Sequence, residues 1–387
     1  MDRRSVRRGG GVLAALALVV SGTAQARVGD PASLARAADR AMTATGAKGL
    51  AIATIDQGRV TSVQTFGVRN AAGDPLTPKS VMYGASLTKA VFGYLTTMLA
   101  AEGRIKLDAP IATMLAKPLP EYGNLPAYGA WGDLAGDPRW RAITPRMTLN
   151  HTTGFANFAF LEPDRKLRIH FDPGSRYAYS GEGIMLLQFA IEQGLGIDVG
   201  DALQKRLFSP LGLTRTSLKW REDFADDLAD GWTAEGTVEP HDQRSRVRAA
   251  GSMDTSITDM ATLAAAMVRG HGLNRQWRAT FARGTGPITT AQQFPTLLPD
   301  APAAVRPAAK SALGVIAFHG PQGPGWYKGG HNDSTANTLV CLERRRRCVV
   351  ILSNDVRAET AFPALVRAAL GDTGVPYRWE YPGLAAY

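Results

Sequence analysis

Strand-like segments near both ends, with helical spacing between them, are the pattern that most constrains this chain. Residues 31–45 carry helical spacing, and 50–56 and 60–68 alternate in character around Gln57-Gly58, which predicts a hairpin. Residues 87–101 read as an amphipathic helix stopped at Gly103. Further helices are expected over 183–193, over 201–208 with Pro210 ending it, and over 257–268 behind the caps Thr255 and Ser256. Strand character returns at 313–318, 326–328, 338–342 and 348–352. A chain of 387 residues allows two domains or one composite domain. Two Pro- and Gly-rich tracts, 117–145 and 284–307, read as long loops. Tyr122, Tyr128, Trp131 and Trp140 mark the first as a cleft wall.

The net charge of +10 raises the question of an anionic partner until its location is known. Four of the positive charges, Arg3, Arg4, Arg7 and Arg8, precede a short apolar run over 12–20 and the triplet Ala24-Gln25-Ala26. Those features make residues 1–26 a secretory signal, whose loss takes four arginines and one aspartate with it. The expected location is therefore periplasmic or secreted, with no stable membrane anchor after cleavage. Four more charges are the consecutive Arg344 to Arg347, between two apolar strands, where they form the wet tip of a hairpin. No aromatics interleave with them, so nucleic acid is not an expected partner. A turn centred on Arg344-Arg345 sets Cys341 opposite Cys348, and the pair is either a disulfide or two buried thiols. Oligomeric state is not encoded in any feature found, and a monomer is the default.

The chemistry is concentrated at Ser86-Leu87-Thr88-Lys89. A serine opening a helix, with lysine three residues on, puts Oγ and Nζ on one face. There the ammonium and the helix N-terminus both favour negative charge on the serine oxygen. The same positive potential lowers the lysine's affinity for its own proton. Gly84-Ala85-Ser86-Leu87-Thr88 lacks the second glycine of an α/β-hydrolase elbow, and no Walker loop or dinucleotide fingerprint is present. His151, His170, His241, His271 and His319 have no metal-ligand spacing and are expected to be structural; no metal or cofactor is expected.

A second element, Tyr177-Ala178-Tyr179-Ser180-Gly181, and a third, Lys328-Gly329-Gly330, complete a pattern. With them the sequence resembles the serine β-lactamase and penicillin-binding-protein superfamily, in its class C β-lactamase-like branch of peptidases and esterases. Further resemblances are Pro75-Leu76-Thr77-Pro78, Asn150-His151-Thr152-Thr153-Gly154, Ala249-Ala250-Gly251-Ser252-Met253 and Leu352-Ser353-Asn354.

The resemblance implies an α/β (α+β) fold of the β-lactamase/transpeptidase type, an antiparallel sheet flanked by helices with an inserted helical domain. The α/β part is placed at roughly 27–108 and 245–387 and the helical part at roughly 109–244, with Ser86 where they meet. It also implies that Ser86 is the nucleophile of an acyl-enzyme, Lys89 its charged neighbour and Tyr179 a proton acceptor and donor. Tyrosine is a poor base near neutrality, so that role requires Lys89 and Lys328 to stabilise phenolate. Which group takes the Ser86 proton stays open. Lys328 would bind a substrate carboxylate or developing charge, and the backbone N–H groups of Ser86 and His331 would form the oxyanion hole. An alternative alignment takes His331 as the third-motif residue; Lys328 is preferred because the spacing to Glu343 then needs no deletion.

Two positions depart from the family pattern. Gly181 stands where asparagine is usual, which removes an amide able to hold Lys89 or an acylamido group. Gly329 stands at the middle of K-T-G and removes a hydroxyl from the carboxylate site. The implied substrate is a β-lactam, a D-Ala-type peptide or a carboxylic ester. The alternatives are a carboxylesterase without useful β-lactamase activity and a non-hydrolytic penicillin-binding or sensor module.

Overall fold

The computed structural model describes residues 29–382. The signal sequence expected over 1–26 lies outside the described residues. Eight strands form one antiparallel sheet: β1 (Gly49–Asp56), β2 (Arg59–Gly67), β3 (Gly286–Pro287), β4 (Ala309–Ser311), β5 (Ile316–Gly320), β6 (Gly323–His331), β7 (Ala336–Leu342) and β8 (Arg347–Ser353). Their spatial order is β2-β1-β8-β7-β6-β5-β4-β3, so the N-terminal hairpin joins the C-terminal strands through the β1–β8 pairing. That pairing, from Leu50 opposite Ser353 to Ile55 opposite Cys348, closes the fold across the length of the chain.

The central strands are apolar on both faces because both faces are covered. Leu50 and Ile52 of β1, Val340 and Leu342 of β7, and Val349 and Ile351 of β8 pack against α1 (Pro31–Thr45) and α5 (Phe362–Leu370). Their neighbours Ala51, Ala53, Leu339, Cys341, Cys348 and Val350 face the other way, into the larger core. That core also takes α2 (Leu87–Ala101), α3 (Gly181–Leu195) and α4 (Ile257–Arg269). The period-2 alternation thus sorts one apolar run into two cores. Helix α2 is buried over nearly its whole length, between the sheet and the helical layer. Its amphipathic reading is replaced by that of a central core helix.

Helix starts follow side-chain chemistry. Asp30 caps α1, Ser180 caps α3 and Ser256 caps α4, each accepting a backbone N–H of the first turn. The Ser180 cap starts α3 two residues before the expected 183. The helix expected over 201–208 starts earlier as well, at Val199 behind the Asp198 cap, and ends in a π-turn over Gln204–Phe208.

The arginine hairpin needs a correction. Arg344 and Arg346 are exposed, whereas Arg345 pairs with Asp56 at 2.8 Å and Arg347 is buried in β8, bonded to Gln322. Arg347 belongs to the ladder opposite Leu342, so the register carries it inward. Cys341 and Cys348 are directly opposed and joined in a disulfide on the α2-facing side of the sheet. The tract 117–145 is corrected too: Tyr122, Tyr128 and Trp131 pack edgewise or tilted on Phe189 of α3, and Trp131 and Trp140 are buried. The contacts of the first three with Phe189 and the burial of Trp140 leave these rings out of the main cleft wall.

Closing an eight-residue loop should stabilise the protein by about 2–3 kcal/mol through the unfolded chain. Urea unfolding with and without reductant is expected to show a loss of that order. A Cys341→Ala/Cys348→Ala variant should be insensitive to reductant; equal stability of the wild type in both conditions would rule out a stabilising cross-link.

Candidate active site

Ser86 sits at the N-cap of α2, but its side chain makes no capping bond and is left for other partners. The turn that presents it passes through Ala85 at a φ of 46°, a left-handed conformation that costs a non-glycine residue on the order of 1 kcal/mol. Two groups converge on Ser86 Oγ: the Tyr179 hydroxyl donates to it at 2.7 Å, and Lys89 Nζ lies 3.0 Å away. Lys89 also donates to the carbonyl of Ala250, from the Ala249-Ala250-Gly251 segment before α4. Tyr83 holds that segment from the other side, donating to Gly251 O at 2.6 Å.

Lys89 is buried, and the loss of hydration drives its pKa well down; the Lys328 and Arg248 charges push the same way. Tyr179 is also buried, and desolvation raises its pKa against the lowering effect of its bond to Ser86. Both Lys89 Nζ and Lys328 Nζ lie 5.0 Å from the centroid of the Tyr179 ring, over the ring rather than at its hydroxyl bond to Ser86, and burial dominates the shift. The phenolate required by the sequence reading is therefore not the resting form. The side chains rest as a phenol donating to Ser86 and an amine whose proton is held weakly.

Tyr179 is positioned by a residue expected to be merely structural. The buried His151 ring lies 4.6 Å from the Tyr179 ring, its Nδ1 accepts from Ser180 N at 3.2 Å, and its carbonyl accepts from Ala178 N at 2.8 Å. These contacts bracket Tyr179 on both sides in sequence. The Asn150-His151 motif signalled the segment; only the fold shows which ring it touches.

Gly330 brings the third motif to Ser86. A Cβ there would lie 2.9 Å from both Ser86 N and Leu87 N and 3.1 Å from Gly84 O, all backbone atoms, so glycine lets β6 run along the start of α2. His331 follows at the end of β6, half-exposed, with Nδ1 bonded to Glu359 at 2.8 Å. Lys328 is buried at the cleft floor with Nζ donating to Gly329 O at 2.6 Å.

Each departure from the motifs has a resident group in the space it frees. At Gly181 a Cβ would meet the Phe158 ring at 2.3 Å. At Gly329 it would meet Glu380 Oε1 at 2.0 Å. Neither Phe158 nor Glu380 was singled out from the sequence, because neither lies in a motif. Around these groups lies a cleft of about 600 Å³, also lined by Tyr83, Asn157, Arg244, Arg246, Arg248, Gln293 and Phe294. The tract 284–307 thus walls the cleft through Gln293 and Phe294. A second groove, lined by Leu125, Tyr128, Phe158 and the exposed Phe160, adjoins the cleft at Phe158 and Arg248. Among the described residues no cluster of three His, Cys, Asp or Glu side chains converges as a metal site. Nor is any described helix long and apolar enough to cross a membrane.

Replacing Gly330 by valine is expected to lower urea stability by about 1–3 kcal/mol, since backbone on the opposing side must move. An unchanged unfolding midpoint would show that β6 and α2 are not in contact at this point.

Comparison with known proteins places these features in context. Residues 34–371 match the Beta-lactamase family. Among curated relatives, lovastatin esterase of Penicillium rubens is 26% identical over 174 residues, 39% of this chain and 43% of that protein. A putative fimbrial assembly protein FimD of Dichelobacter nodosus is 28% identical over 32% of this chain and 31% of its own length. The unguisins hydrolase of Aspergillus campestris is 22% identical over 57% of this chain and 44% of its own. The chain therefore spans less than half the length of these curated relatives. Among solved structures, the octameric penicillin-binding protein homologue from Pyrococcus abyssi superposes with a TM-score of 0.68 at 18% identity, covering 90% of this chain and 79% of that one. The D-alanine carboxypeptidase AmpC from Burkholderia cenocepacia gives 0.66 at 17%, covering 87% and 96%. These similarities establish the α/β fold with its antiparallel sheet and flanking helices, and the chain belongs to the Beta-lactamase family.

Proposed function

We propose that this chain is an exported serine hydrolase that cleaves carboxylic esters through an acyl-enzyme on Ser86. The observation that carries the reading is the convergence of Tyr179 and Lys89 on Ser86 Oγ, within 3.0 Å, at the start of a buried helix. Lys89, its proton affinity lowered by burial, takes the Ser86 proton as Oγ bonds to the substrate carbonyl carbon. The developing oxyanion is held by the backbone N–H groups of Ser86 and His331 at the junction of α2 and β6. As the ester C–O bond breaks, the Tyr179 hydroxyl gives its proton to the leaving oxygen and recovers one from Lys89. Water then attacks the acyl-enzyme, the same groups removing its proton and returning one to Ser86.

Ester preference draws support from the two motif departures. An amide-bearing side chain at position 181 is replaced by the ring of Phe158, and a hydroxyl at 329 by the carboxyl of Glu380. An aromatic ring suits an apolar acyl group better than an acylamido chain. One relative, by its name, is an esterase. Export rests on the segment 1–26, and the Cys341–Cys348 disulfide suits an oxidising compartment.

A panel of p-nitrophenyl butyrate, a chromogenic cephalosporin and a D-Ala-D-Ala peptide tests the reading. The ester should be the preferred substrate, and Ser86→Ala should lower kcat by roughly 10⁴-fold or more. The pH profile should carry an acid limb well below the ordinary lysine range, because only unprotonated Lys89 accepts the Ser86 proton and its pKa is depressed. Activity unchanged in Ser86→Ala sinks the mechanism. A lasting cephalosporin adduct by intact mass, without ester turnover, would favour the binding module instead.

A further inference from the structure

The buried carboxyl of Glu380 stands on the third motif, and residues 372–382 that carry it lie beyond the family match. It belongs to the short helix α6 (Tyr377–Glu380). Trp379 anchors that helix: its carbonyl accepts from Gln293 N at 2.8 Å, its Nε1 donates to Thr290 at 3.2 Å, and its ring packs 5.4 Å from Tyr177. Tyr177 in turn donates to Gln293 Oε1 at 2.9 Å, two residues before Tyr179 in the second motif. Glu380 is thus held by the same scaffold that holds the catalytic tyrosine. It lines the cleft, and its Oε2 is buried without a hydrogen-bond partner among the described residues.

We infer that Glu380 is a specificity-determining residue, a resident carboxylate lodged against Gly329 in the cleft it shares with Lys328, which bars substrates carrying a carboxylate on the leaving-group side of the ester. The inference rests on the serine-hydrolase reading above and adds to it the charge of the preferred substrate. With Gly329 in place of a larger residue, the carboxyl reaches the strand itself, where a substrate anion would otherwise approach Lys328. The Lys328–Glu380 pair then has no net charge, and an incoming carboxylate meets no uncompensated cation.

Protonation of the pair reverses this. Burial raises the Glu380 pKa, with Lys328 opposing; burial lowers that of Lys328, with Glu380 opposing. As pH falls, one added proton leaves the pair with a net positive charge, and an anionic substrate becomes acceptable. The other groups facing Glu380 are His331 from β6, Glu359 from the turn after β8, and the hydroxyls of Tyr327, Tyr377, Tyr381, Tyr177 and Tyr179. Burial holds these tyrosines neutral, and the bond to Glu359 raises the His331 pKa, so His331 charges as pH falls, as does Lys89 in the same cleft.

The test compares phenyl acetate with 3-acetoxybenzoate, which differ by one carboxylate on the leaving group. The wild type should favour phenyl acetate at pH 8, and the kcat/KM ratio of 3-acetoxybenzoate to phenyl acetate should rise about tenfold or more by pH 5.5. Glu380→Gln should raise that ratio by about tenfold at pH 8 and remove most of its pH response. A ratio unchanged in an active Glu380→Gln protein, or a pH response kept in full there and so owed to His331 or Lys89, overturns the inference. Should Glu380→Gln not fold, Glu380→Ala is read in the same way, and a wild-type ratio flat across pH overturns the inference by itself. Hydrolysis of both esters by Ser86→Ala at wild-type rates would instead overturn the nucleophile assignment.

Discussion

The buried amine of Lys89 is the constraint on which the site depends. A lysine in the first turn of an apolar core helix loses its hydration, and a protonated side chain there would have to be compensated by nearby acceptors. The structure supplies two oxygens, Ser86 Oγ and the Ala250 carbonyl, and among the described residues no carboxylate is in ion-pair contact with Nζ. The environment therefore works on the proton rather than on the position of the charge. Everything around Lys89 is arranged so that the side chain is held firmly and its proton loosely.

That arrangement requires three remote segments to meet. Helix α2 carries Ser86 and Lys89, the segment before α3 carries Tyr179, and β6 carries Lys328 and Gly330. The sheet fixes the first relative to the last because its two sets of strands come from opposite ends of the chain. The covering of both sheet faces makes this closure durable: slipping β8 by one residue would exchange Val349 and Ile351 for Cys348, Val350 and Leu352 between cores of different shape.

Much of this was legible in the sequence. The hairpin around Gln57-Gly58, the helix after Ser86, the facing cysteines and the three motifs all rest on local signals: turn chemistry, periodicity and spacing. The remainder depended on partners with no local signature. Tyr179 titrates according to burial, which spacing does not reveal, so the expected phenolate is replaced by phenol. Arg347 turned inward because the ladder register assigned it a face, although four consecutive arginines suggest solvent. Tyr122, Tyr128 and Trp131 announced packing correctly but not against what; the answer was Phe189 of α3 rather than the cleft. Phe158 and Glu380 could have been sought only by asking what fills the space a missing side chain leaves.

The segment that carries Glu380 lies outside the motifs, yet it is built into the second core. Residues 372–382 follow α5 outside the sheet order, but Tyr377, Trp379 and Tyr381 are buried in the core that α1 and α5 cover, and Trp379 reaches Thr290, Gln293 and Tyr177. A change in this segment is therefore carried through Trp379 and Gln293 to Tyr177, two residues from Tyr179. In engineering terms the Glu380 side of the cleft is better altered by single substitutions in its lining than by exchanging the whole segment, which would pull on the frame that positions Tyr179.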